Sequence, residues 1–252
     1  MISSRDNARV KRWAKLARDS SLRREERRAI VEGPHLVAEA LQAKLEPLAL
    51  LVSESALVRD EIQKLLARRA PVVLSDPVFR SIADAENPQG IAAEIAIPQI
   101  AAKGDCVFLE GVQDPSNVGA IIRTAAAFGV GEVVLDRGCA DAWSPKTLRA
   151  GMGGHFKTAI RQVSRLEEAL AAFEGNLLCT ALHGGVRLGE AKLQGRLGWV
   201  FGAEGSGISE TAARHARLTV TIPMARGTES LNVAAAAAIC LYEAFNRPGA
   251  GS

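Results

Sequence analysis

The sequence predicts an α/β protein of two domains, and three observations carry that expectation. Short apolar runs alternate with amphipathic helical segments along the chain. The alternation is interrupted at 98–104, "PQIAAKG", where Pro98 and Gly104 bracket a stretch followed by a fresh strand signal. The 252 residues are 48% hydrophobic and 23% charged, enough to build two cores. The expected domains are therefore 1–98 and 105–252, with 99–104 as the linker.

The first domain opens with a basic helix in which Val10, Trp13, Leu16 and Ala17 share one face. "RAIVEG" then reads as a strand and "PHLVAEALQA" as a helix started by Pro34. "PLALLV", "PVVL" and "IAAEIAI" read as strands, with helices at "ALVRDEIQKLLARR" and "DPVFRSIAD" between them. The second domain repeats the alternation. Its strands are "CVFLEGV", "EVVLD", "KTAI", "NLLCTAL", "LGWVFG" and "LTVTIP". Its helices are "NVGAIIRTAAAFG", "SRLEEALAAF", "ISETAARHA" and an alanine-rich closing segment from Val233.

Charge is distributed unevenly. Residues 1–30 hold ten basic and four acidic side chains, a local charge of +6 on a chain of net +3. A basic end on a slightly acidic body suits a polyanion, because Lys and Arg displace counterions condensed on phosphates. Arg9, Lys11, Arg12, Arg23 and Arg24 are the candidate nucleic-acid-contacting residues of this segment. A solvated helix docked through Trp13 and Leu16 explains part of the same pattern.

Cys106, Cys139, Cys179 and Cys240 are far apart and form no C-x-x-C pair, so neither a disulfide framework nor a metal site is expected. The N-terminal residues contain no apolar core of a secretory signal. The longest apolar run, Val233 to Tyr242, falls short of the ~20 residues of a membrane span. A soluble, cytoplasmic protein without a membrane partner is the expectation. His35, His155, His183 and His215 are scattered and read as structural or surface residues, and Trp143 as packed.

Three loops stand out. "EGVQDPSNVGAIIRTAAAFGV" runs from a strand through a Pro turn into a helix bearing Asn117 and Arg123. Arg123 lies nearly two turns on and is offset by roughly 120 degrees. Read alone, Asn117 is a helix cap and Arg123 a surface charge. "GWVFGAEGSGISE" places Gly202, Gly205 and Gly207 around Glu204. The spacing is not a dinucleotide fingerprint, and no Gly-Lys-Ser/Thr follows. "TIPMARGTESLNVAAAAA" ends a strand and opens the alanine-rich helix with Ser230, Leu231 and Asn232, of which Ser230 and Asn232 are natural capping residues in their own right.

Together the loops resemble the three motifs of the SPOUT superfamily, specifically the SpoU/TrmH RNA ribose 2′-O-methyltransferases. The blocks Asn117-x-Gly119-x-x-x-Arg123-Thr124, Gly202-x-Glu204-Gly205-x-Gly207 and Ile222-Pro223-Met224…Ser230-Leu231-Asn232-Val233 occur in family order. "VEGPHLVAEAL" and "NPQGIAAE" resemble the ribosomal-protein-L30e-like substrate-binding domain that precedes the catalytic domain in many members. The resemblance implies a C-terminal SPOUT domain with a parallel sheet, helices on both faces and a deep trefoil knot, preceded by a smaller L30e-like α/β domain. It implies S-adenosyl-L-methionine as cofactor, held near Gly202, Ile222, Met224 and Leu231, and a homodimer. It also implies a catalytic group of Asn117, Arg123, Glu204, Ser230 and Asn232, with Arg123 also contacting RNA. The implied substrate is RNA, large-subunit ribosomal RNA before transfer RNA. A non-catalytic RNA-binding or ribosome-assembly factor is the alternative from another class.

Overall fold

The computed structural model describes residues 1–67, 69–225, 227 and 229–247. Arg226 and Thr228 of the third loop lie outside them. In chain order the elements are α1 (Ala8–Arg18), α2 (Ser20–Glu26), β1 (Arg28–Glu32), α3 (Pro34–Gln42), β2 (Ala49–Ser53), α4 (Asp60–Leu66), β3 (Val72–Leu74), α5 (Asp76–Ile82) and β4 (Ile91–Ala96). There follow β5 (Cys106–Glu110), α6 (Pro115–Ala127), β6 (Glu132–Leu135), α7 (Pro145–Gly151), β7 (Ala159–Gln162), α8 (Leu166–Ala171) and β8 (Asn176–Thr180). The chain continues through β9 (Val186–Arg187), β10 (Leu197–Gly202), α9 (Glu210–His215), β11 (Leu218–Thr221) and α10 (Val233–Phe245). Two compact units form: 1–99 together with 141–156, and 100–140 together with 157–252.

The first unit is built on a sheet of order β1-β4-β2-β3, antiparallel except for the β2–β3 pair. Its core packs Trp13 and Leu16 of α1 against Leu51, Leu74, Phe79 and Ile82. The basic segment is two helices rather than one. Asp19 breaks it by accepting from the backbone N–H groups of Ser21 and Leu22, which caps α2. Glu94, buried in β4, accepts from Trp13 Nε1 at 2.8 Å, Arg28 at 2.8 Å and Arg12 at 3.0 Å. Burial opposes ionisation of Glu94, but these three donors outweigh it and hold the carboxyl below its ordinary range.

Two of the residues expected to contact RNA are engaged within this unit. Arg12 is engaged by Glu26 and Glu94. Arg23 is only 3% exposed, and its guanidinium donates to the carbonyls of Leu16 and Ala17 and to Asp141. A buried Arg whose donors are spent holds the fold together and offers no surface to a phosphate. Arg9, over the Trp13 ring at 4.8 Å, Lys11 and Arg24 remain exposed.

Segment 141–156, which the sequence reading assigns to the second domain, packs within the first unit. Beside the Arg23–Asp141 pair, Arg149 of α7 bonds Asp84 at 2.6 Å and Glu32 at 3.4 Å. Trp143 is buried edge-on to His155. The His155 Nε2–H donates to the Ala142 carbonyl at 2.7 Å, and burial pushes this imidazole down to about 4, so it is neutral near pH 7.

The second unit is a seven-stranded, wholly parallel sheet of order β7-β6-β5-β10-β8-β11-β9. On one face Phe108, Val134, Leu177 and Val200 pack with Leu166 and Leu170 of α8 and Ala212 of α9. Val107, Leu109, Trp199 and Phe201, of opposite pleat, are buried too, so the sheet is covered on both sides. Parallel strands all point their C-terminal ends at one edge, and the loops after β5, β10 and β11 meet there.

Candidate active site

The first loop ends in α6, whose N-cap is Asp114: its side chain accepts from Ser116 N–H at 2.7 Å, and Pro115 occupies the first turn. Asn117 is therefore not the cap. It sits inside the first turn, 8% exposed, with its amide free for another use. The third loop ends in α10, where Asn232 is the N-cap and its Oδ1 accepts from the backbone of Ala234 and Ala235. The second loop leaves β10 at Gly202 and carries Glu204.

These three residues bond to one another. Asn117 Nδ2 donates to Glu204 Oε1 at 2.9 Å. Asn232 Nδ2 donates to the same oxygen at 2.6 Å and to Asn117 Oδ1 at 2.9 Å. Both asparagines have fixed amide orientations: the cap consumes Asn232 Oδ1, so its NH2 faces inward, and Asn117 must present its oxygen to that NH2.

Beside this triangle lies a cavity of about 540 Å³, wholly within the second unit. Gly202, Ile222, Met224 and Leu231 all line it, as do Glu204, Ser230 and Asn232. Sequence reasoning missed Thr180, Leu182 and Ala236 in its wall. The available signal was that β8 is a strand neighbouring β10, so its C-terminal loop shares the same edge. Arg123 stands apart. It is exposed on α6, does not line the cavity, and its side chain makes no hydrogen bond or ion pair among the described residues.

The cavity suits S-adenosylmethionine on three counts. Its volume is that of a nucleoside-sized site, and apolar side chains such as Leu182, Ile222, Leu231 and Val233 face it. Glu204 is the one charged side chain among the described lining residues, so a cationic ligand finds a carboxylate and a phosphorylated nucleotide finds no cation. Gly202 shapes the wall itself: a Cβ there would lie 2.1 Å from the carbonyl of Gly207, so only glycine lets the loop's return limb lie against the end of β10. Thiol chemistry is not offered, since the four cysteines are buried and burial pushes those of Cys139 and Cys240 up to about 12.

Residues 105–242 match the SpoU rRNA methylase family, and residues 7–93 match the MRM3-like substrate binding domain. A relative from Bacillus subtilis, the 23S rRNA (guanosine(2553)-2′-O)-methyltransferase RlmP, is 33% identical over 96% of this chain and 97% of its own. An AdoMet-bound rRNA methyltransferase from Sinorhizobium meliloti superposes with a TM-score of 0.79 at 28% identity, covering 96% of each chain. The SpoU methyltransferase AviRb from Streptomyces viridochromogenes, at 24% identity, shares the fold with a TM-score of 0.85 over 95% of this chain and 97% of its own. The chain belongs to the SpoU rRNA methylase family. Among the described residues no helix is long and apolar enough to cross a membrane.

Proposed function

We propose that the protein transfers a methyl group from S-adenosylmethionine to a ribose 2′-hydroxyl of large-subunit ribosomal RNA. The observation that carries this reading is the meeting of Asn117, Glu204 and Asn232, from three separate loops, at the rim of a cavity whose described lining has one charge, a carboxylate. Ribosomal RNA is favoured over transfer RNA by the family and by the RlmP relative.

When bound, S-adenosylmethionine supplies an electrophilic methyl group on a sulfonium that is already a good leaving group. What remains for this chain is to orient a weakly acidic hydroxyl and stabilise the charge it develops. Gly202, Ile222, Met224 and Leu231 hold the cofactor. Ser230 and Asn232 orient the cofactor and the hydroxyl, and Glu204 locks its loop through both asparagines. Arg123, exposed and unpaired among the described residues, holds the adjacent phosphate and stabilises the developing alkoxide with its planar fork. A guanidinium with a pKa above ~12 is a poor base, so alignment and charge stabilisation are the better roles. RNA is gripped further by Arg9, Lys11 and Arg24 of the first unit.

The active form in this reading is a homodimer. On α10, Ala235, Ile239, Tyr242 and Phe245 form an exposed apolar stripe at helical spacing, opposite the buried Ala237, Cys240 and Ala244. Phe128 adds its ring to Tyr242 and Phe245 at 5.9 and 5.6 Å. Such a contiguous patch needs a cover, and a second copy supplies one.

The test is transfer of tritium from labelled S-adenosylmethionine to purified RNA. Label in the 2′-O-methyl ribose of ribosomal RNA supports the reading, and label confined to transfer RNA or to a base contradicts it.

A further inference from the structure

We propose that Glu110 is a positioning residue for the glycine loop that carries Glu204. The proposal rests on the cofactor-binding reading of the cavity above. Glu110 ends β5 and pairs in register with Gly202, the last residue of β10. The loop leaves from Gly202, turns through Glu204 and comes straight back: the Gly207 N–H donates to the Ala203 carbonyl at 2.9 Å. The return limb lies directly on the strand end, since a Cβ at Gly202 would fall 2.1 Å from Gly207 and 2.4 Å from the Ile208 nitrogen. Three glycines in seven residues give this segment wide conformational freedom, so something outside it has to fix the return limb.

Glu110 does so through Ser209. The Ser209 N–H and hydroxyl donate to the two carboxylate oxygens, each at 2.7 Å. The same hydroxyl oxygen accepts from Ala212 N–H at 3.1 Å and starts α9. The outgoing limb is thus held by the β-ladder and the returning limb by a paired, charge-assisted clamp. Glu110 does not line the cofactor cavity. It faces a separate recess of about 310 Å³ behind the loop, with Asp136, Arg137 and Ser164. It therefore acts only through the loop, on the cavity wall from Gly202 to Ile208 and on the carboxylate that orders both asparagines.

The experiment compares Glu110→Gln, Ser209→Ala and Ser209→Thr in the full chain by calorimetric S-adenosylmethionine binding, by amide exchange of the loop without ligand, and by steady-state kinetics. Glu110→Gln offers one acceptor in place of two. It is expected to weaken S-adenosylmethionine binding roughly tenfold and to speed exchange at Gly207, while KM for RNA stays at the wild-type value. Ser209→Ala is expected to move the same readouts less, and Ser209→Thr, which keeps the hydroxyl and the N–H, to leave them unchanged. Unaltered cofactor affinity and loop exchange in Glu110→Gln overturn the proposal, as does a Ser209→Thr protein as impaired as Ser209→Ala. If Glu110→Gln does not fold, the two Ser209 variants decide in the same way. If the wild-type protein binds no S-adenosylmethionine, the functional reading fails, whereas loop exchange still judges the clamp.

Discussion

Asn232 donates to Asn117 Oδ1 at 2.9 Å, joining the N-terminal turns of α10 and α6 across 115 residues of sequence. The bond has a direction, set by the capping duty of Asn232, and both amides converge on one oxygen of Glu204. Asn232→Asp tests this. Asp caps a helix as well as Asn, so the fold should hold, but its carboxylate would face Glu204 and an amide oxygen. Turnover is expected to fall roughly a hundredfold with an unchanged circular dichroism spectrum. Adding Glu204→Gln, which removes the repulsion, should recover part of the loss.

Arg123→Lys keeps the charge and removes the fork. Because Arg123 is exposed and unpaired among the described residues, its melting temperature should match the wild type. The rate of methyl transfer should drop by about two orders of magnitude. Near-normal turnover with unchanged RNA affinity would show that charge alone suffices.

His155 makes stability depend on pH. Its folded value of about 4 lies below the ordinary imidazole value of 6.5, so the unfolded chain takes up the proton first. The stabilisation is present above pH 6.5 and is lost as pH falls toward 4, in total roughly 3 kcal/mol. Glu94, held below its ordinary carboxylate value, adds a further loss only at lower pH. Thermal melts between pH 7 and 5 should slope downward for the wild type and flatten in His155→Gln, whose amide still reaches the Ala142 carbonyl.

The apolar stripe of α10 predicts its own disruption. Tyr242→Glu with Phe245→Glu places two charges on residues 56% and 47% exposed, so the fold should survive. Sedimentation is expected to show a monomer where the wild type shows a dimer. A wild-type monomer at micromolar concentration contradicts the role given to this face.

Alternation of apolar runs and helices made the α/β class readable, and the glycine loop after "GWVFG" marked the cavity wall. Other features depend on contacts that no local pattern encodes. Asn117 and Asn232 look alike as capping residues, yet only Asn232 caps, because Asp114 and Pro115 start α6 three residues earlier. Arg23 looks like Arg24 in sequence. Burial beside Leu16, Ala17 and Asp141 separates them, and Asp141 is 118 residues away. Strand β7 runs Ala159–Gln162 rather than 157–160, because its register is set by pairing with β6. Thr180 and Leu182 reach the cavity through strand order, which sequence periodicity does not report.

The central claim is methylation of a ribose in ribosomal RNA. The most direct measurement is a map of 2′-O-methyl groups in total RNA from cells with the protein, without it, and with Asn232→Asp in its place. One large-subunit ribosomal position is expected to be methylated in the first and unmethylated in the other two. Identical maps in all three, for ribosomal and transfer RNA alike, would contradict it.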